Sequence, residues 1–189
     1  MIKIQYQQVS YFCGMGSSSV MKNVLLTFLF LMISFPVFLQ EKGSPATSGK
    51  PAIATTGVDR AGLIAFAKQY LGKPYRKASM DPKKGFDCSG FVYFVFNHFS
   101  IDVPRSSGEY KALGTALKPQ EFKEGDVLVF YGYKDKSHIG HVGIIVEADG
   151  MKSRFIHASS GKAYCVIISS LESQGYHGRF YKCIDVMGK

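Results

Sequence analysis

The sequence lacks several features that would place it in a common class of binding protein. It has no run of Lys or Arg and no ladder of basic and aromatic residues, so a nucleic-acid partner is not expected even though the formal net charge is +9. It has no internal repeat, and no uncharged apolar run reaches the ~20 residues that a membrane-spanning helix needs. The excess of positive charge therefore indicates either an anionic partner or a surface that serves solubility alone.

The first 58 residues are predicted to lie outside the folded domain. A lysine at position 22 followed by the uncharged apolar stretch 24–39 is typical of a secretory signal, and we expect translation to begin at Met21. Residues 1–40 are interpreted as an N-terminal extension plus a signal peptide, and residues 41–58 as a flexible linker. The sequence thus predicts export to the periplasm or cell surface, without stable membrane insertion after processing; an uncleaved anchor is the alternative.

Cysteine is scarce, and its four positions are Cys13, Cys88, Cys165 and Cys183. Without the predicted leader three cysteines remain, and an odd number in an exported protein indicates a free thiol. Cys165 and Cys183 form a disulfide only if their strands are neighbours. The interpretation that we favour is two buried, unreactive thiols.

The remaining residues, 59–189, predict a single α+β domain. Apolar spacing indicates helices over residues 59–71 and 88–99, a loop at 75–86, and a short third helix after a capping box at 106–109. Five strands are predicted at 127–131, 141–147, 155–158, 166–169 and 180–186. Helices followed by strands with short connections indicate N-terminal helices packed on a five-stranded antiparallel sheet.

The residues that suggest chemistry are one cysteine and two histidines. Cys88 starts a predicted helix, where the helix dipole and a neighbouring imidazolium are expected to lower the pKa of its thiol. His141 is the candidate proton acceptor, because imidazole exchanges protons near neutral pH. His157 is placed to orient the ring of His141 if the second and third strands pair as a hairpin, where opposite residues lie about 5 Å apart.

A metal site is the competing interpretation of the histidines. His138 and His141 are separated by two residues, and His157 would complete a three-histidine zinc site. However, His138 lies in a polar loop, where it is expected to be solvated, and this interpretation gives Cys88 no required part. The sequence therefore predicts neither a metal nor a cofactor.

The same residues fall in five ordered motifs that resemble those of the NlpC-type cell-wall cysteine peptidases, a bacterial branch of the papain-like fold. The motifs are Asp-Cys-Ser-Gly-Phe at 87–91, Pro-Arg-x-Ser at 104–107, Gly-Asp before the strand at 127–131, His-Val-Gly-Ile at 141–144, and Phe-Ile-His-Ala at 155–158. The resemblance covers residues 59–186. It implies a papain-like fold for the whole domain.

The resemblance also implies catalytic roles by position. Cys88 matches the nucleophile, His141 the general base, and His157 the third polar residue that orients the base. Tyr75 matches a tyrosine that lines the site and helps to hold the oxyanion or the substrate. The implied activity is that of an exported cysteine endopeptidase that cleaves the peptide stem of peptidoglycan at the bond between D-γ-glutamate and the diamino acid. We also expect the protein to be a monomer.

Three further residues are implied to meet the substrate. Asp87, Ser89 and Ser107 match residues that contact the peptide stem, although Asp87 also suits a plain helix N-cap. Two alternatives stay open: a non-catalytic wall-binding module, and an amidase or acyltransferase on the same fold.

The sequence departs from the family pattern at two places near the expected cleft. The family often has glutamine near position 110, where this chain has Glu-Tyr-Lys at 109–111, and the loop at 131–140 is long and basic. Both departures bear on substrate preference rather than on the chemistry.

Overall fold

A computed structural model of the protein describes residues 59–188. The predicted N-terminal extension and signal peptide (1–40) and the predicted linker (41–58) lie outside these residues. Within the described part of the chain, none of the helices combines the length and the apolar character that crossing a membrane requires.

The two longer helices precede the main sheet, as the sequence predicts, and a short third helix lies between its last two strands. The helices are α1 (Arg60–Lys68), α2 (Cys88–His98) and α3 (Gln174–His177), with 3-10 turns at Ser107–Lys111 and Pro119–Glu121. The strands are β1 (Met80–Asp81), β2 (Gly85–Phe86), β3 (Val127–Tyr131), β4 (Ile139–Glu147), β5 (Arg154–Ala158), β6 (Val166–Ser170) and β7 (Phe180–Ile184).

Strands β3 to β7 form the five-stranded sheet, in the order β6-β5-β4-β3-β7, with every neighbouring pair antiparallel. This confirms the predicted α+β architecture. Strand β3 is buried on both faces: Val127 and Val129 belong to the core beneath the helices, while Leu128 and Phe130 belong to a second core on the opposite face. Each such side chain contributes about 1.5–3 kcal/mol by leaving water.

The start of α2 is fixed by a cap and by a close backbone contact. Asp87 accepts a hydrogen bond from the N–H of Gly90 at 2.6 Å. A Cβ at Gly90 would lie 2.2 Å from the carbonyl oxygen of Ser79, so only glycine fits there. Ser79 precedes the β1–β2 hairpin, which forms where the sequence predicts a loop, because two-residue strands are too short to show a periodic pattern.

The two cysteines outside the site lie at opposite edges of the sheet. Cys165 directly precedes the edge strand β6, and Cys183 lies on the other edge strand, β7. Four strand spacings separate these edges, roughly 19 Å, whereas a disulfide needs Cα atoms within about 7 Å. Both thiols are buried and no disulfide joins them, as we favoured from the sequence.

Candidate active site

Cys88 is the first residue of α2, and its side chain faces the start of β4. The thiol lies 3.9 Å from the carbonyl oxygen of Gly140, to which it donates, and the backbone N–H of Val142 also points at the sulfur. The sulfur therefore contacts the chain on both sides of His141. The fold brings together the helix start and the strand that the sequence singled out.

The protonation state of Cys88 differs from the expectation. Burial raises the pKa of the thiol, and the carboxylate of Asp87 raises it further. The N–H groups of Ser89, Val142 and Cys88 itself lower this pKa, but they do not outweigh the first two causes. The prediction that the pKa of Cys88 is lowered is wrong, because the effect of burial, which the sequence does not reveal, outweighs the effect of the helix N-terminus.

His141 and His157 are joined by a hydrogen bond, with Nε2 of His141 3.0 Å from Nδ1 of His157. The predicted β4–β5 hairpin is confirmed, but the two histidines are not directly opposite. Ile144 pairs with Ile156, and the same register sets His157 against Gly143, so the rings meet diagonally. The contact therefore joins residues that are two positions out of register.

Gly143 provides the space for this diagonal contact. A Cβ at this position would lie 2.6 Å from a ring carbon of Phe155 and 3.1 Å from Cβ of His157. Any side chain at position 143 would displace one of these two rings. The His-Val-Gly-Ile motif thus requires glycine at this position for a steric reason.

The second ring nitrogen of His157 is also held. Its Nε2 lies 3.0 Å from Oγ of Ser169 on β6 and 3.3 Å from the hydroxyl of Tyr176 on α3. The ring of Phe155 stacks on the His157 ring, with centroids 4.8 Å apart. Sequence reasoning missed Ser169 and Tyr176, and no local pattern marks either residue.

Both histidines are kept neutral at pH 7. Burial lowers the pKa of His141 to about 3, and the positive charge of Arg179 adds to this effect. Burial also lowers the pKa of His157, with smaller contributions from His141 and Arg179. The thiol of Cys88 and both imidazoles are therefore neutral at pH 7.

Tyr75 lies near Cys88, as expected from the resemblance. Its ring is half-buried and packs against Tyr164, with centroids 5.1 Å apart. Burial, followed by the nearby Cys88 and Asp87, raises the pKa of Tyr75 to about 12. The hydroxyl therefore keeps its proton at neutral pH and is a hydrogen-bond donor.

Asp87 is the N-cap of α2 and also the centre of a polar network. Arg105 donates two hydrogen bonds to its carboxylate, at 3.0 and 2.8 Å, and a third at 3.3 Å to Oγ of Ser89. Arg105 is part of the Pro-Arg-x-Ser motif, but no role was predicted for it from the sequence. Ser107 begins a 3-10 turn and is half-buried, and its side chain makes no hydrogen bond with another described residue.

Two other predicted features fall outside this network. His138 is exposed and bonds to Asp135 at 2.9 Å, away from the His141–His157 pair, and residues 59–188 contain no cluster of three or more His, Cys, Asp or Glu that could hold a metal ion. Tyr110 is wholly buried, and within those residues its hydroxyl has no hydrogen-bond partner.

The architecture is that of a papain-like α+β domain, with a cysteine at a helix start against the strand that carries a histidine. The sequence profile of the NlpC/P60 family matches residues 72–184, and the chain belongs to this family. The predicted membership is confirmed.

Curated relatives and solved structures agree with this assignment. The chain is 32% identical over 123 residues to "Probable endopeptidase NlpC" of Escherichia coli K12, covering 65% of this chain and 75% of that protein. It is 30% identical over 135 residues to "Gamma-DL-glutamyl hydrolase" of Bacillus subtilis 168, covering 70% and 31%. The crystal structure of the NlpC/p60 domain of the peptidoglycan hydrolase SagA matches with TM-score 0.54 and 28% identity, covering 68% and 99%. The chain spans between a fifth and a third of the first curated relatives that it matches.

Proposed function

We propose that the protein is an exported cysteine endopeptidase that hydrolyses peptidoglycan stem peptides at the bond between D-γ-glutamate and the diamino acid. The observation that carries the proposal is the His141–His157 hydrogen bond beside the helix start that bears Cys88. The names of the relatives, an endopeptidase, a gamma-DL-glutamyl hydrolase and a peptidoglycan hydrolase, support the substrate class.

In the first half of the reaction, the Cys88 sulfur attacks the carbonyl carbon of the scissile amide and its proton passes to His141. We assign the base to Nδ1 of His141, which requires that Nε2 carry the hydrogen and donate it to Nδ1 of His157, 3.0 Å away. In this assignment His157 carries its own hydrogen on Nε2, where Oγ of Ser169 is the acceptor at 3.0 Å. Each imidazole thus enters the reaction neutral, which agrees with the lowered pKa values.

The attack places negative charge on the carbonyl oxygen. The protonated hydroxyl of Tyr75 and the backbone N–H of Cys88 are the donors assigned to this oxyanion, and each such donor typically supplies ~10²–10³ in rate. His141 then gives its proton to the leaving nitrogen, and the C–N bond breaks to leave a thioester on Cys88. Water attacks the thioester and loses a proton to His141; the C–S bond then breaks, and His141 returns the proton to the sulfur, which releases the acid and restores the free thiol.

The acyl side of the substrate is assigned to the network around Asp87. Asp87 and Ser89 lie next to the nucleophile, and Arg105 holds both in place. For Ser107, the proposed contact with the stem peptide rests only on the position of this residue in the Pro-Arg-x-Ser motif. We further propose that the enzyme acts as a monomer in the periplasm or at the cell wall and needs no cofactor.

The test compares two cysteine variants of the full chain on purified muropeptides, with products identified by mass spectrometry. Cys88→Ala is expected to abolish hydrolysis while stem-peptide binding persists. Cys183→Ala, the matched control, removes a buried thiol from the far edge of the sheet and is expected to retain activity, at a stability loss of about 1 kcal/mol. Normal turnover by Cys88→Ala would end the nucleophile assignment, and binding without turnover by the wild type would favour a wall-binding module.

A further inference from the structure

A pocket of about 580 Å³ opens directly beside His141. We call it the basic pocket and define it by His141, Tyr133 and Lys134 from the loop before β4, Lys162 from the β5–β6 loop, and Tyr176 and Arg179 from the segment before β7. The long basic loop that distinguishes this sequence from the family pattern therefore forms one of its walls.

The charges of the basic pocket are all of one sign. Lys134, Lys162 and Arg179 line it, no Asp or Glu does, and none of the three forms an ion pair with a carboxylate within residues 59–188. By contrast, Arg60 and Arg105, which also pack against the domain, each pair with a buried carboxylate. The pocket thus concentrates positive charge without a partner.

Arg179 is held in a fixed position although no carboxylate of residues 59–188 pairs with it. Its Nε donates to the carbonyl of Gly175 at 2.6 Å, and its Nη1 donates to the carbonyl of Tyr131 at 3.2 Å. Its guanidinium lies over the rings of Tyr176 and Tyr133, 5.2 and 5.5 Å from their centroids. Nη2 makes no hydrogen bond with a described residue, so a pre-positioned donor remains for a ligand.

The location identifies which part of a substrate the pocket receives. This step rests on the proposed function, in which His141 hands its proton to the leaving nitrogen. The leaving group must therefore lie against the His141 ring, which is one wall of the basic pocket. Tyr75 and Asp87, near Cys88, belong to the acyl side.

We propose that the basic pocket binds a free carboxylate on the leaving group, so that the enzyme prefers stem peptides whose diamino acid or following residue ends in an unblocked carboxylate. Arginine binds carboxylates through its planar array of donors, and Lys134 and Lys162 add charge at the rim. The carboxylate also has an electrostatic consequence for catalysis. Arg179 opposes positive charge on His141, and a bound carboxylate offsets that opposition at the moment when His141 takes the thiol proton.

The test uses two synthetic tripeptides, L-alanyl-γ-D-glutamyl-L-lysine with a free terminal carboxylate and the same peptide with a terminal carboxamide. The wild-type enzyme is expected to cleave the carboxylate form with a kcat/KM ~10–100-fold higher, the range for a hydrogen bond to a charged group. Arg179→Gln is expected to bring this ratio close to one, and Lys162→Gln, at an exposed position, to reduce it partly. Arg179→Lys should retain part of the preference.

The matched control is Lys152→Gln, which removes one exposed positive charge from the turn at the far end of the β4–β5 hairpin and should keep the wild-type ratio. Equal cleavage of both tripeptides by the wild type, or an unchanged ratio in both Arg179→Gln and Lys162→Gln, would overturn this inference and leave the proposed function standing. Failure to cleave either tripeptide would overturn both.

Discussion

His141 and His157 bond diagonally across neighbouring strands, with Nε2 and Nδ1 3.0 Å apart and Gly143 between them in the register. Diagonal neighbours in an antiparallel pair are farther apart than directly opposite ones, and only long or aromatic side chains reach across. The contact therefore depends on both rings and on the missing side chain of the glycine.

The first prediction separates the roles of the two histidines. His141→Ala is expected to lower kcat by ~10²–10⁴, the usual contribution of a general acid–base. His157→Ala removes only the residue that orients the base, so a smaller loss, about 10- to 100-fold, is expected. His157→Asn returns an acceptor oxygen close to the position of Nδ1 and should recover part of the rate.

Steady-state kinetics on muropeptides measure this order, and thermal unfolding of each variant shows that the fold is retained. A loss in His157→Ala that equals or exceeds the loss in His141→Ala would mean that the two roles are exchanged.

The second prediction concerns the pH dependence of alkylation at Cys88. Burial raises the pKa of this thiol above its ordinary value and lowers that of His141 to about 3, so the neutral pair is the stable form at pH 7. Because the thiolate forms only as the pH rises toward the raised pKa, inactivation by iodoacetamide should accelerate continuously from about pH 6 to about pH 9.

Free cysteine, with its pKa near ~8.5, is the reference for this profile. A rate that is already constant at about pH 6 would show a preformed thiolate–imidazolium pair and contradict the neutral assignment. His141→Ala should leave the shape of the profile nearly unchanged, since a neutral imidazole does little to stabilise the thiolate.

The third prediction tests the steric role of Gly143. Gly143→Ala places a methyl group 2.6 Å from the Phe155 ring and 3.1 Å from Cβ of His157, so the Phe155 ring must shift and disturb the His157 ring that it stacks on. We expect kcat to fall toward the value of His157→Ala, together with some loss of stability from overpacking, about 1–3 kcal/mol.

Gly178→Ala is the control, since its added methyl group would lie 3.5 Å from the nearest atom, the carbonyl oxygen of Gln174, at an ordinary contact distance. It should fold and react like the wild type. Full activity in Gly143→Ala would show that the diagonal contact tolerates displacement.

The sheet and the central residues of the site were predictable because their signals are local. The five strands are confirmed to within about two residues, since alternating or continuous apolar runs mark them directly. Cys88 and His141 were found from a helix start and a strand motif. The β1–β2 hairpin was not predicted because its strands are only two residues long.

The rest of the site depends on contacts between distant parts of the chain. Ser169 reaches His157 only because β6 pairs with β5. Tyr176 reaches His157, and Arg179 reaches the pocket beside His141, only because the segment before β7 folds back over the sheet. The pKa of Cys88 was mispredicted for the same reason: burial is a property of the assembled fold, and no residue adjacent to Cys88 in the sequence reveals it.

Because Cys165 and Cys183 lie at opposite edges of the sheet, a disulfide cannot join these two residues. A reductant therefore has no bond to break between these two edges of the sheet. The reductant that protects Cys88 from sulfenic acid formation is thus compatible with every assay described above.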